Sequence, residues 1–319
     1  MSTGNLPTFE EVINTIKDEL DELENLRIKS IKHNEKVRRW LQYAIPGGIL
    51  LSIILIMIFA GAAVLILLII TTLIFGLILT EFDMSYKDTI RYKLTVAMLR
   101  CFDEELNYYQ DKSLLIDVVH RGKVLKSWYN DTIDGSDYIN GYYKGNYVQF
   151  SKITINRGLS GDNIVPVFRG HYLVCNFNKN FDSHTLVLRD SLENHLGFFG
   201  QSLQNFLSAG KLVKLEHAGF ERRFATYSDN QVEARYLLSP KFMEKVLEVD
   251  DMYNNNVTLG FVNGDMHIAM RTSSPVFNIT GDEPLNVLDN LWKYYEPIYE
   301  VFKIIETFEL NQKLWSKQD

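Results

Sequence analysis

The sequence predicts an α+β protein: an N-terminal helix, a two-helix transmembrane hairpin, then an antiparallel β-rich cytoplasmic domain with flanking helices. Three observations carry that expectation. Residues 41–80 hold no charged side chain; Arg39 is the last charge before them and Glu81 ends the run. Short β-branched and aromatic runs, separated by glycine-bearing turns, fill much of the chain from Lys123 to Arg271. Apolar residues at helical spacing flank both regions. The expected organisation is residues 1–40 as a cytoplasmic helix, 41–80 as the hairpin and 81–319 as the α+β domain.

The first forty residues read as a helix. Phe9, Ile13, Ile16, Leu20 and Leu23 recur at four- and three-residue steps, a narrow seam of coiled-coil type. Thr8 and Glu11 are placed to form a capping box at its start. The seam fades at Arg27 and Ser30, so it serves either a short oligomerising coil or packing on the protein's own domain. The later half is basic. Lys29, Lys32, Lys36, Arg38 and Arg39 are expected to lie against the anionic headgroups of a membrane.

One helix crosses the hydrocarbon core with about 20 apolar residues. A run of forty therefore reads as two spans, near Ala44–Phe59 and Ala63–Leu79, with a turn at Ala60–Ala63. A signal peptide is a poorer reading, because the run begins late, is too long and lacks a cleavage-like flank; a single tilted span plus a re-entrant piece is the more serious rival. Cations crowd both flanks, with Lys87, Arg91 and Lys93 following the exit. The positive-inside rule then places both termini in the cytoplasm.

After the run, a helix is expected from Ser85 to about Gln110, with Ile90, Leu94, Ala97, Cys101 and Leu106 on one stripe. Tyr147–Phe150, Lys152–Ile155, Val165–Phe177 and His184–Leu188 read as strands. Val213–Leu215 and Phe220–Tyr227 read as strands flanking a turn at Ala218-Gly219. Ser239 and Pro240 are the N-cap and first position of a helix whose apolar face is Phe242, Met243, Val246 and Leu247. Asn263-Gly264-Asp265 is a hairpin turn between Asn256–Phe261 and Met266–Arg271. A final helix is expected over Glu283–Leu314, kinked at Pro297.

Composition removes several functions. The net charge of −7 lacks the basic footprint of nucleic-acid binding. Two cysteines, Cys101 and Cys175, are no disulfide framework. The histidines at 120, 171, 184, 195, 217 and 267 are scattered, with no metal-ligand spacing, so neither metal nor cofactor is expected. Gly158–Asp162 lacks the P-loop lysine, and His195–Gly200 lacks the dinucleotide fingerprint. His171 and Cys175 fall on one strand face, but no oxyanion hole or third group accompanies them. Asn194–Leu207 reads either as a buried loop or as an amphipathic patch.

The most distinctive stretch is Phe220–Pro240. It has Phe-Glu, a second Phe after two arginines, Tyr-Ser-Asp, then Glu-Ala-Arg-Tyr and a proline-started helix. It resembles the bacterial membrane-protein family known as domain of unknown function DUF-3137. Asp137–Gly141 is similar to the family's acidic step before a glycine, although only one acidic residue stands there. Phe168-Arg169-Gly170 is similar to its Phe-x-Gly element. The resemblance runs from about Ser30 to Met270. It implies a transmembrane hairpin ahead of this domain, an inner bacterial membrane and a protein partner of LemA type, but no activity.

Glu221, Asp229, Glu233 and Arg235 are the candidate site. As ligands or partner contacts, Arg235 takes a phosphate or carboxylate and Glu233 orients it. As structure, Glu221 pairs with Arg235 and Asp229 caps the helical turn Gln231–Tyr236. The expected function is a membrane-anchored, non-enzymatic binding or scaffold domain. Its partners would be inner-membrane lipids, a protein and a second copy of itself. The alternative is a membrane-tethered enzyme or small-molecule sensor with a pocket near Asp229–Arg235.

Overall fold

The computed structural model describes residues 6–59, 69–70, 73, 86–125, 131–158, 165–177, 179–189, 211–273 and 283–308. Two compact units divide the chain. One comprises Met1–Thr8, Leu99–Asn278 and Tyr295–Asp319; the other comprises Phe9–Met98 and Ile279–Tyr294.

The larger unit is built on a sheet. Its strands are β1 (Leu106–Tyr109), β2 (Asp131–Tyr143), β3 (Asn146–Arg157), β4 (Val165–Asn176), β5 (Thr185–Arg189), β6 (Lys211–Val213), β7 (Phe224–Ser228), β8 (Val257–Val262) and β9 (Asp265–Arg271). They follow the order β1-β2-β3-β4-β9-β8-β5-β7-β6. Every pairing is antiparallel. Asn263 and Gly264 both have left-handed φ, 52° and 80°, as an Asn-Gly hairpin turn requires.

The sheet is covered on both faces, which is why most of its central strands are continuously buried. On one face, a short helix α4 (Ile116–Gly122) brings Val119 against Ile153, Tyr172, Leu186 and Ala269. On the other, Phe242 packs on Phe261 at 5.9 Å and on Phe308 at 5.2 Å between ring centroids. Phe302 packs there on Tyr143 at 4.6 Å. Phe242 belongs to α7 (Pro240–Met252) and Phe302 to α8 (Leu288–Thr307).

Within β2 the register shifts between Ser136 and Ile139. Asp137 sits in that bulge at φ 59°, buried. Its carboxylate accepts from the Tyr108 and Ser136 hydroxyls, each at 2.7 Å. The acidic step in the sequence is thus a bulge lock. Gly141, at φ 142°, lets β1 approach; a Cβ there would meet the Glu105 carbonyl oxygen.

The smaller unit is helical. It holds α1 (Phe9–Thr15), α2 (Lys17–Phe59) and most of α3, which covers residues 86–100. Val12, Ile16, Leu20 and Leu23 are buried, as are Ile90, Leu94 and Leu285. Phe9 meets Trp292 edge-on at 5.2 Å, and Glu24 accepts from the Leu285 amide at 3.0 Å. The N-terminal seam is therefore covered by the chain itself, with Val12 in the place expected of Ile13.

Among the described residues, no helix is long and apolar enough to cross a membrane. This corrects the two-helix transmembrane hairpin and, with it, the two-span membrane placement with cytoplasmic termini. A lack of charge is a property of composition, whereas a span needs its own apolar helix. The helix observed here, α2, runs unbroken from Lys17. It spends its first half on charged sequence and carries Pro46 in its interior. The expected turn at Ala60–Ala63 and most of Ala63–Leu79 lie outside the described residues, as do Asn194–Leu207, His195–Gly200 and most of Gly158–Asp162.

Three smaller expectations also change. The helix after the run stops near Arg100, and Leu106–Tyr109 becomes strand β1. Asp103 makes the break: its carboxylate accepts from the Glu105 amide at 3.1 Å. The start of Phe220–Tyr227 is helical, in α5 (Ala218–Glu221), because His217 caps it through the Phe220 amide at 3.0 Å. The final helix begins at Leu288, five residues later than Glu283.

Candidate functional site

The Phe220–Pro240 segment folds as the end of α5, then β7 and α6 (Gln231–Leu237). Its four candidate residues do not converge. Glu221 accepts from the Leu215 amide at 2.7 Å. Asp229 accepts from the His184 amide at 3.0 Å. Glu233 accepts from the Ser183 and Asp182 amides at 2.8 and 3.2 Å. Those bonds hold its carboxyl below the usual range, Ser183 most of all. Arg235 donates to Gln231 on its own helix, to the carbonyl oxygen at 3.2 Å.

The Glu221–Arg235 lock is therefore absent among the described residues. The cap of α6 is Asn230, which accepts from the Val232 and Glu233 amides at 3.1 and 3.2 Å. What the segment does is bracket residues 182–184, entering β5, with two carboxylates. Replacing Glu233 by alanine is expected to speed hydrogen exchange at Asp182 and Ser183 by about tenfold or more. Exchange in the sheet core should stay unchanged; unchanged rates at both amides would dismiss the bracket.

On α2, Lys29, Lys32, Lys36, Arg38 and Arg39 are all exposed. Arg27, one turn earlier, is instead buried and paired with Glu24 at 2.6 Å.

A pocket of about 630 Å³ opens elsewhere, where β9 ends beside the middle of β4 and α8. None of Glu221, Asp229, Glu233 and Arg235 lines it. Backbone pairing fixes its rear edge: Thr272 donates to Arg169 O at 3.2 Å, and Arg271 donates to Asn256 O at 3.0 Å. This sets Arg169 beside Thr272, and Arg271 beside Asn256, where β9 ends. The Arg271 guanidinium lies over Phe168 at 5.4 Å and donates to Val167 O at 3.2 Å. It is anchored as well as charged.

From α8 come Lys303 and Glu300, one turn apart. The Glu300 carboxyl is raised by desolvation and by Glu296, with Lys303 opposing. Tyr253, Asn254 and Asn256 close the pocket from the turn after α7. Asn254 and its neighbour Asn255 adopt left-handed φ, 51° and 63°. Such backbone is held only where surroundings over-determine it. Here the Asn255 amide donates to Asp250 O at 2.8 Å and the Asn254 amide to Asp251 O at 3.2 Å. His171 faces the same pocket, its Nδ1 3.4 Å from the Tyr253 hydroxyl.

The pocket thus sets the Arg169 guanidinium and the Lys303 ammonium beside one carboxylate, while the Arg271 guanidinium is engaged with Phe168 and Val167 O. Sequence reading singled out Phe168-Arg169-Gly170 for its ends and passed over the arginine. Another signal was available in Asn254-Asn255-Asn256, an amide run between a helix and a strand. Nothing local in the sequence marks Lys303 as its neighbour.

The remaining chemistry-bearing groups are core. Cys175 is buried, and burial raises its thiol well above the ordinary range, which disfavours the nucleophilic thiolate. His184 and His267 are buried on the α4 face. Among the described residues, no group of histidine, cysteine and carboxylate side chains could hold a metal ion.

Residues 166–310 match the family model described as "Protein of unknown function (DUF3137)". Over those residues the chain belongs to that family. The match takes in the Phe220–Pro240 segment and every pocket residue from Arg169 to Lys303. Asp137–Gly141 lies before it. No curated protein matches the chain. Among solved structures, the chain is similar to the crystal structure of the mycobacterial trehalose monomycolate transport factor A, TtfA, at 10% identity and a TM-score of 0.32. That likeness covers 68% of this chain and 93% of the other. A score so low carries nothing about this domain.

Proposed function

We propose that the DUF3137 domain is a non-enzymatic binding module that takes a small anionic ligand in the pocket lined by Arg169 and Lys303. The observation that carries this reading is that Arg169 and Lys303 line one pocket of about 630 Å³ in a chain of net charge −7. An acidic protein that concentrates cations in a concave site lowers the energy of an anion there, and the fork of an arginine matches oxyanion geometry. The size falls within the range of small-molecule sites. The family match supports the same place, because it contains the whole lining.

Isothermal titration at low ionic strength, with inorganic phosphate and ribose 5-phosphate as probes, tests the reading. Saturable binding is expected. Arg169→Glu should weaken it by about tenfold or more, since a charge-assisted hydrogen bond is lost and a like charge introduced. Arg169 is suited to the test because it is exposed, so a folding defect is not built into the variant. Absence of saturable heat for both probes, or equal affinity in the variant, overturns the proposal.

A further inference from the structure

We infer that the ligand of this pocket is a nucleoside monophosphate; this rests on the anion-binding reading above and names its ligand class. The pocket is too large and too mixed for a bare oxyanion. A phosphate group is satisfied by the two lining cations Arg169 and Lys303, with the Thr272 and Ser273 positions beside Arg169. Much of the space of about 630 Å³ is then left over.

Beside these cations and the anchored Arg271, the remainder of the lining is uncharged apart from Glu300. Met252 and Tyr253 offer apolar body, and Asn254 offers its amide, while Asn256 Nδ2 donates to Asn254 O at 3.1 Å. A carboxamide presents a donor and an acceptor side by side, the pattern that reads the edge of a nucleobase. Glu300 discriminates further. As a carboxylate it only accepts hydrogen bonds, so it favours a ligand carrying hydroxyl or N–H donors and repels a second anionic group. Citrate or a polyphosphate would meet that repulsion; a ribose with one phosphate would not. The left-handed turn at Asn254-Asn255 adds to this, because its backbone bonds to Asp250 and Asp251 fix the amide-bearing turn before ligand arrives. Preorganised polar groups lower the cost of recognition.

The test is isothermal titration of the full chain with inorganic phosphate, ribose 5-phosphate, AMP and adenosine. AMP is expected to bind about tenfold or more tighter than ribose 5-phosphate, the size of effect that paired amide hydrogen bonds give. Arg169→Gln should weaken phosphate, ribose 5-phosphate and AMP alike. Asn254→Gly keeps the left-handed backbone without strain and removes only the amide. It should reduce AMP to the affinity of ribose 5-phosphate and leave that probe unchanged. If AMP and ribose 5-phosphate bind equally, the nucleotide inference falls while the anion pocket stands. If Asn254→Gly weakens both equally, the inference also falls. If no phosphate probe binds, the proposed function fails first.

Discussion

Asp250→Ala is expected to cost about 3–5 kcal/mol of folding stability, the usual penalty for removing one partner of a buried ion pair. Asp250 is fully buried at the end of α7. One carboxylate oxygen accepts from Arg189 Nη1 at 2.7 Å and lies 3.6 Å from Arg223 Nη1. The other accepts from the Val257 amide at 3.2 Å. Three elements therefore meet on one side chain: β5 through Arg189, the entry to β7 through Arg223, and the start of β8. Alanine leaves Arg189 half-covered without its anion and a buried amide unsatisfied.

Asp250→Asn should fall between, because it keeps an oxygen for Val257 and loses the charge. Arg223 retains Asp251, so its own loss is smaller. Urea unfolding of the three proteins checks the order. A loss under about 1 kcal/mol for Asp250→Ala would show the ion pair to be dispensable. The same change should weaken ligand binding, since the Asp250 carboxylate also accepts from the Val257 amide that follows the Asn254–Asn256 turn.

Acidification from pH 7 to about 4.5 is expected to cost a further several kcal/mol, through His184 and His267. Both imidazoles are buried and held down to about 4, from 6.5. Burial is the main cause for each. Lys123 adds to it at His184, against Asp229; Arg121 and His184 add to it at His267. His267 Nδ1 lies 3.2 Å from the buried Tyr172 hydroxyl, so charging the ring strands an ion in a closed layer. The unfolded chain binds these protons below 6.5 and the folded chain resists them to about 4. Stability is therefore complete above 6.5 and is lost as pH falls through that window. Each histidine contributes about 3 kcal/mol at the acid end. Because each raises the cost of charging the other, the two titrate as a pair.

The measurement is the urea midpoint against pH for the natural chain and for His267→Gln. A shallower slope between pH 6.5 and 4.5 in the variant is expected, and an equal slope would sink the assignment. Glu233 also loses a contribution in acid, but its carboxyl is already depressed, so that loss comes below its unfolded value of 4.5.

The sequence by itself determined the α+β class, the Asn-Gly hairpin, the Ser239-Pro240 helix start and the family. Each of those rests on a local rule: a turn that demands left-handed φ, a cap within three residues, or an alternation along one strand. It also singled out Phe220–Pro240. That stretch supplies the carboxylates that bracket residues 182–184, a job of a few neighbouring residues.

Only the tertiary structure decided the rest. Leu106 and Tyr108 satisfy a helical stripe and a strand alternation equally well; pairing with β2 chose the strand. The charge-free run from Leu41 to Thr80 fixes composition, and the described residues contain no helix that converts it into a span. The pocket is the clearest case. Arg169, Arg271 and Lys303 come from β4, β9 and α8, more than a hundred residues apart at the extremes. No periodicity links positions so distant. Antiparallel register brings the end of β9 beside Arg169, packing of α8 on the sheet brings the lysine, and the Asp250 carboxylate holds the Val257 amide that closes the amide turn beside them.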